Sequence, residues 1–260
     1  MEPIASSHAK LNKAEECAEF LRHEIATGRS PPGSSFLPES QLTQRLGISR
    51  SCYREALRIL ESDGLIRVSR GARGGAVVLA PTASTISRQI GIYLQLRAIT
   101  VDELFAARRI YEPSAARSIA ERRDQMALSA LAQCVAAQEF SVHDRDAYNL
   151  HEAKFRSIML QNCGNPVMQL MGSILDDILA RHLEHVRRRL PHPAGEADQL
   201  TDGVRAKQNL VRLMAAGDAT KAEKAWATYI QVYWRRLSKL IGKDRTIEIY
   251  AGDAPPPPLR

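Results

Sequence analysis

Paired cysteine spacings, long apolar runs and abundant aromatics are all missing from this sequence. The four cysteines, Cys17, Cys52, Cys134 and Cys163, lie far apart and show no paired pattern. That argues against a disulfide scaffold or a zinc knuckle and for reduced thiols. No stretch approaches the roughly 20 apolar residues that span a bilayer. Met1 to Lys10 is too polar for a secretory signal, so a cytoplasmic location and no membrane partner are expected. Aromatics make up 5% of the chain, which suits helix-on-helix packing better than an aromatic-rich sandwich. No nucleophile elbow, P-loop, dinucleotide fingerprint or paired metal-ligand motif is found. Enzymatic activity, a cofactor and a metal are therefore not expected.

What is present is a chain of 260 residues, 44% hydrophobic and 25% charged. That is ordinary globular composition, and the length is ample to bury a core. Lys and Arg number 36 against 29 acidic residues, a net charge of +7. Such an excess hints at an anionic partner.

Two regions read differently. In residues 1–80, a helical pattern covers roughly Lys10 to Ala26, with Leu11, Ala14, Ala18, Leu21 and Ile25 at spacings of three and four. Gly28, Pro31, Pro32 and Gly33 end it. A short helix from Glu39 to Leu46 leads to Gly47 and a sharp turn. A third helix follows, capped by Ser49, with Tyr53, Ala56, Leu57 and Leu60 inward. Two short strands, Leu65 to Ser69 and Ala76 to Leu79, flank a Gly-rich basic tip. Residues 81–85 read as a linker. Residues 86–245 read as an antiparallel bundle of about seven helices, over 85–98, 101–121, 125–140, 145–162, 166–190, 203–216 and 219–242. Residues 246–260, with Pro255 to Pro258, read as a disordered tail. The fold class expected is mostly α, with a small β-hairpin wing.

Helix, short helix, Gly turn, helix and basic hairpin make a winged helix-turn-helix pattern. In such a unit the N-terminal residues of the third helix meet base edges in the major groove. Arg50 and Arg54 are four apart and share a face. An arginine can grip guanine O6 and N7 in a bidentate pair. Between Arg45 and Arg73 there are seven arginines and three acidic residues, a net +4, against only +2 for residues 1–80 as a whole. The reading surface is assigned to Arg45, Ser49, Arg50, Ser51, Tyr53 and Arg54, with Arg70, Arg73 and Gly74 from the hairpin.

These residues resemble the GntR family of bacterial transcription regulators. The resemblance is carried by Pro32-Gly33, Leu37, Glu39, Leu42, Leu46-Gly47-Ile48-Ser49-Arg50 and Arg54-Glu55-Ala56-Leu57. It continues through Leu60-Glu61, Gly64-Leu65-Ile66, Gly71 and Gly74-Gly75. Ser51-Cys52-Tyr53 stands where the family most often has Thr-Pro-Val, and Ser40 stands where many members place an Arg. The resemblance implies double-stranded DNA as partner, but no operator sequence carries over.

In the helical half, several apolar stripes are interrupted by charge. Arg108 lies on the stripe Leu104, Tyr111, Ala115, Ile119. Glu152 lies on the stripe Tyr148, Phe155, Met159, with Arg156 adjoining. Lys207 precedes Leu210 and Met214, and Tyr229 lies on the stripe Ala222, Trp226, Tyr233, Leu237. Unpaired buried charge costs several kcal/mol. Two readings stand. One is a set of structural ion pairs such as Arg108 with Glu112 and Glu152 with Arg156. The other is an anion-binding site, since three cations face only Glu152. His182 and His185 sit three apart, with His192 beyond. No third ligand stands at a recognisable spacing, so a surface or pocket-lining role is expected rather than a metal. Arg187 to Arg189 read as a solvated helix end.

Residues 95–242 resemble the all-helical effector domain (FCD type) of the FadR-like branch of the same family. The landmarks are Glu103 to Ala120 with Arg108, Arg109 and Glu112, then Phe155, Gly164-Asn165-Pro166, Ala215-Ala216-Gly217-Asp218 and Ala222. Many members hold a divalent metal there through one Asp and three His. By the resemblance those positions are Glu152, Arg156, Lys207 and Tyr229, which do not make a transition-metal site. The resemblance implies a small anionic or carboxylate effector held by Arg156 and Lys207 with Arg108, Glu152 and Tyr229. It also implies a homodimer on a palindromic operator, with repression relieved by ligand the commoner behaviour. The polar lining disfavours a long acyl chain. A dimeric regulator without an effector, or a helical enzyme, are the alternative functions.

Overall fold

The computed structural model describes residues 12–69, 75–80, 82–187 and 196–250. The chain divides into two compact units, Met1–Thr85 and Ile86–Arg260. Each is built around its own apolar faces.

In the first unit, α1 (Lys13–Ala26) starts at a capping box between Asn12 and Glu15. Helix α2 (Glu39–Leu46) ends on Gly47, whose φ of 64° is left-handed and suits a residue without Cβ. Helix α3 (Arg50–Ser62) begins at Ser49, whose Oγ accepts from the Cys52 amide. The strands β1 (Ile66–Val68) and β2 (Ala76–Val78) pair antiparallel, with Ile66 opposite Val78 and Val68 opposite Ala76. The core joins Ala18 and Leu21 of α1, Leu42 of α2, Tyr53, Ala56 and Leu60 of α3, and Ile66. The expected winged helix-turn-helix is therefore present. The hairpin tip, with Arg70, Gly71, Arg73 and Gly74, lies outside the described residues.

The second unit is helical: α4 (Ala83–Leu96), α5 (Val101–Arg122), α6 (Gln125–Glu139), α7 (Arg145–Gln161), α8 (Pro166–Arg187), α9 (Glu196–Ala216) and α10 (Ala219–Ile241). Helices α5 and α10 share an aromatic seam, with Phe105 stacked on Trp234 at 4.6 Å between centroids. Asp102 accepts from Trp234 Nε1 at 2.5 Å. Among the described residues no helix is long and apolar enough to cross a membrane.

Three sequence expectations need correction. The linker 81–85 is partly helical, because α4 starts at Ala83. Helix α9 starts at Glu196, not 203. Its polar first turns looked like loop, but Glu196 and Asp198 complement a helix N-terminus. Finally, residues 246–250 are not a loose tail. Val101 N donates to Arg245 O and Ile247 N donates to Ile99 O, each at 2.8 Å. Ile249 N donates to Gln95 Oε1 at 3.0 Å, and Ile247 and Ile249 are buried. Their alternation with Thr246, Glu248 and Tyr250 is a period-two pattern that straps the chain end onto α4, α5 and α8. Residues 251–260 lie outside the described residues.

Candidate functional site

In the first unit, the helix N-terminus at α3 faces outward. Ser49, Arg50, Ser51 and Arg54 are exposed, as is Arg45 of α2. Ser49 Oγ lies 2.9 Å from Ser51 Oγ. Glu39 lies 3.4 Å from Arg54 across the turn, while Arg50 has no carboxylate partner among the described residues. The Gly47 turn and the Ser49 cap thus present a first helical turn with free amides and two arginines on one face.

Tyr53 does not belong to that surface. It is 4% exposed and packs with Cys17, Ala56 and Leu60, and burial pushes its phenol up to about 12. Its spacing to Ala56, Leu57 and Leu60 is the inward face of α3. Tyr53→Phe is accordingly expected to leave duplex affinity unchanged in a fluorescence-anisotropy titration, because no hydroxyl contact to DNA is lost.

In the second unit, helices α5, α7 and α9 bring Arg108, Glu152, Arg156 and Lys207 into one buried cluster. Glu152 Oε2 accepts from Lys207 Nζ at 2.8 Å, from Tyr229 OH at 2.9 Å and from Gln138 Nε2 at 3.0 Å. Lys207 Nζ also donates to Gly203 O at 3.1 Å and lies 4.5 Å from the centre of the Tyr229 ring. Arg156 Nε donates to Asp176 Oδ1 at 2.7 Å, and its Nη1 lies 3.8 Å from Glu152. Arg108 pairs with Glu112 through Nε and, at 3.2 Å, through Nη2. Glu112 also accepts from Trp226 Nε1 at 2.9 Å.

Burial alone would raise the Glu152 carboxyl. Lys207 and then Arg156 outweigh that and hold it at about 2, so it stays ionised. Burial raises the phenols of Tyr229 and Tyr148 well above the ordinary range, so both remain neutral donors.

This geometry corrects the expected surplus of buried positive charge. Three cations face three carboxylates, because α8 supplies Asp176 and α5 supplies Glu112. Arg156 and Lys207 already have partners, so the reading that they grip an effector's acid group directly does not fit. Sequence reasoning missed Asp176 because it lies on the polar side of a long helix, with no local pairing to betray it.

The cluster is also unsuited to a metal. Glu152 Oε2 is already occupied by an ammonium and two neutral donors, and Arg156, Lys207 and Tyr229 provide no imidazole or thiolate. No group of three or more His, Cys, Asp or Glu that could hold a metal occurs among the described residues. His182 and His185 serve the chain-end strap. His182 Nδ1 accepts from Glu248 N at 3.0 Å, and His185 Nε2 lies 3.0 Å from Ile249 O. His192, Arg188 and Arg189 lie outside the described residues.

Next to this cluster runs an open groove of about 510 Å³ between α7, α8, α9 and α10. Tyr148, Gly203 and Tyr229 line its inner side and back onto the charge cluster. Tyr148 OH donates to Leu200 O at 3.1 Å, and Lys207 Nζ donates to Tyr148 OH at 3.4 Å. A Cβ on Gly203 would lie 2.5 Å from that hydroxyl, so only glycine leaves room for it. Of the expected ligand residues, only Tyr229 lines the groove. Arg108, Glu152, Arg156 and Lys207 lie behind it.

Comparison with known proteins bears on both units. Residues 13–78 match the family model described as bacterial regulatory proteins, gntR family, and residues 103–232 match the FCD domain. The "Galactonate operon transcriptional repressor" of Escherichia coli is 25% identical, covering 88% of this chain and 99% of that protein. The "Putative L-lactate dehydrogenase operon regulatory protein" of Escherichia coli is 27% identical, covering 84% and 83%. An uncharacterized HTH-type transcriptional regulator of Mycobacterium tuberculosis, Rv0494, is 29% identical over 86% and 89%. The solved structure of Streptococcus agalactiae GntR superposes with a TM-score of 0.64 at 21% identity, covering 86% of this chain and 99% of that one. It supports the fold alone. With an N-terminal helix-turn-helix followed by an FCD domain, this chain belongs to the GntR family of bacterial transcription regulators.

Proposed function

We propose that the protein is a homodimeric repressor that reads a palindromic operator and releases it when a small organic anion binds the helical unit. The observation that carries the DNA half is Arg50. It is exposed and without a carboxylate partner among the described residues, on the first turn of a Ser49-capped helix behind the left-handed Gly47. Arg54, Arg45, Ser49 and Ser51 complete the surface, and Arg70, Arg73 and Gly74 of the hairpin add to it. Two copies would place two such helices on half-sites about one helical turn apart.

The effector half rests on the groove and its inner side. Tyr229 lines the groove and holds Glu152 with its hydroxyl. An occupant touching Tyr148 and Tyr229 therefore acts on the charge cluster that ties α7, α8 and α9 together. Glu152 and Lys207 position the tyrosines, Arg156 links Glu152 to Asp176, and Arg108 keeps an Nη1 with no hydrogen-bond partner among the described residues. Relatives named for a galactonate operon and an L-lactate dehydrogenase operon are consistent with an organic acid. Binding would shift the population between arrangements that hold and release DNA.

The DNA half is tested by selecting duplexes from a randomised library on the full chain and titrating the selected duplex against salt. A sequence-selective duplex reader loses affinity steeply, with a log–log slope near −0.9 per phosphate contacted. Failure to enrich any sequence, or affinity indifferent to salt, overturns it.

A further inference from the structure

Resting on the effector reading above, we infer that the groove takes an elongated amphipathic carboxylate, with one anionic head and an apolar body, rather than a polyhydroxylated acid. The lining along α10 runs from Lys221 to Leu240, which at the α-helical rise is about 28 Å. A volume of about 510 Å³ drawn out over that length is long and narrow. Its walls are largely apolar: Leu183, Leu200, Val232, Leu237 and Leu240 face it. Asn149, Gln199, Asn209 and Thr228 also line it, but the exposed wall is mostly hydrocarbon, so a sugar acid would set much of its hydroxyl-bearing surface against apolar side chains, a cost that selects against it. The hydroxyls of Tyr148 and Tyr229 are already committed, to Leu200 O and to Glu152.

Charge places the head. Four cations line the groove against two carboxylates. Arg145 pairs with Glu196 at 2.6 Å and Arg236 with Asp202 at 3.4 Å, and Lys221 reaches Asp218 at 2.7 Å. Lys224 has no carboxylate partner among the described residues. The net positive end therefore lies at the start of α10, and the leucines lie toward its other end. This runs against the expectation that a polar lining disfavours a long acyl chain. The polar groups on which that expectation rested, Arg108, Glu152, Arg156 and Lys207, are buried behind the tyrosines and held in ion pairs.

The test is calorimetric titration of the full chain with dodecanoate below its critical micelle concentration, with 2-naphthoate, with dodecanol and with a hexonate. Dodecanoate is expected to bind saturably, one per chain, with naphthoate reporting whether an aryl body suffices. Ala206→Trp fills the groove from an exposed position and is expected to weaken dodecanoate by about tenfold or more. Lys224→Gln is expected to weaken dodecanoate by about threefold and to leave dodecanol unchanged. Hexonate binding without amphiphile binding overturns this inference while leaving the organic-anion sensor intact. Dodecanoate affinity untouched by Ala206→Trp also overturns it. So does a change of oligomeric state in Ala206→Trp by light scattering without loss of ligand affinity, which would make the groove a seam between copies. If none of the four binds, the inference fails. If a wider panel of organic anions then also fails to alter duplex affinity, the sensing function falls with it.

Discussion

Lys207→Met is expected to destabilise the helical unit by about 3–5 kcal/mol, because it strands an ionised carboxylate in the interior. Lys207 is fully buried. Its ammonium is held by Glu152 at 2.8 Å, by Gly203 O at 3.1 Å and by the face of the Tyr229 ring. Remove it, and Glu152 keeps only Gln138, Tyr229 and an Arg156 guanidinium at 3.8 Å that is chiefly engaged with Asp176. The double variant Glu152→Gln with Lys207→Met removes both charges and is expected to recover much of the loss, since a buried pair replaced as a unit is often near neutral. Chemical denaturation followed by circular dichroism measures both. The pH dependence gives an independent check. Glu152 is held at about 2 when folded, against about 4.3 for an ordinary Glu in an unfolded chain. A depressed folded value contributes stability that is complete above the unfolded value and is lost as pH falls towards the folded one. The unfolded value is common to both proteins and cancels in the comparison, so the gap between wild type and Lys207→Met should narrow as pH falls through the variant's own raised Glu152 value and on towards about 2. Equal stability of the two proteins at neutral pH would mean that Lys207 is not committed to Glu152.

Replacing Arg50 and Arg54 together by alanine is expected to lower affinity for the selected duplex by roughly two orders of magnitude, at about 1–3 kcal/mol for each bidentate base contact. Arg50 should contribute more. Arg54 is drawn toward Glu39 at 3.4 Å, whereas Arg50 has no carboxylate among the described residues. Anisotropy titrations on the selected duplex and on a scrambled one separate the possible roles. Loss on the selected duplex alone marks base reading. Equal loss on both, with a shallower salt dependence, marks phosphate contacts. The variant should fold as the parent does, because both side chains are exposed and outside the core.

The helices were legible wherever apolar residues recur at three and four, and so was the Ser49 cap of α3. Family landmarks added the order of the two units. Legibility failed where the deciding partner is distant in sequence. Asp176 neutralises Arg156 from another helix, and no local spacing announces that. The first turns of α9 carry no apolar stripe and so read as loop, yet Glu196, Gln199 and Asp202 border the groove. Ile247 and Ile249 were overshadowed by the proline run after them, although their alternation signals an extended segment. Tyr53 shows the opposite error. Closeness to Arg50 and Arg54 drew it into the reading surface, while its spacing to Ala56 and Leu60 places it in the core.

If duplex binding by α3 is coupled to an organic anion bound in the helical unit, the affinity of the full chain for its selected duplex changes when a saturating anion is added at fixed salt. Coupling of about 1–3 kcal/mol is typical of such regulation, so the duplex Kd is expected to be about 5- to 150-fold weaker with the anion present. Identical duplex affinity with the anion demonstrably bound would contradict it.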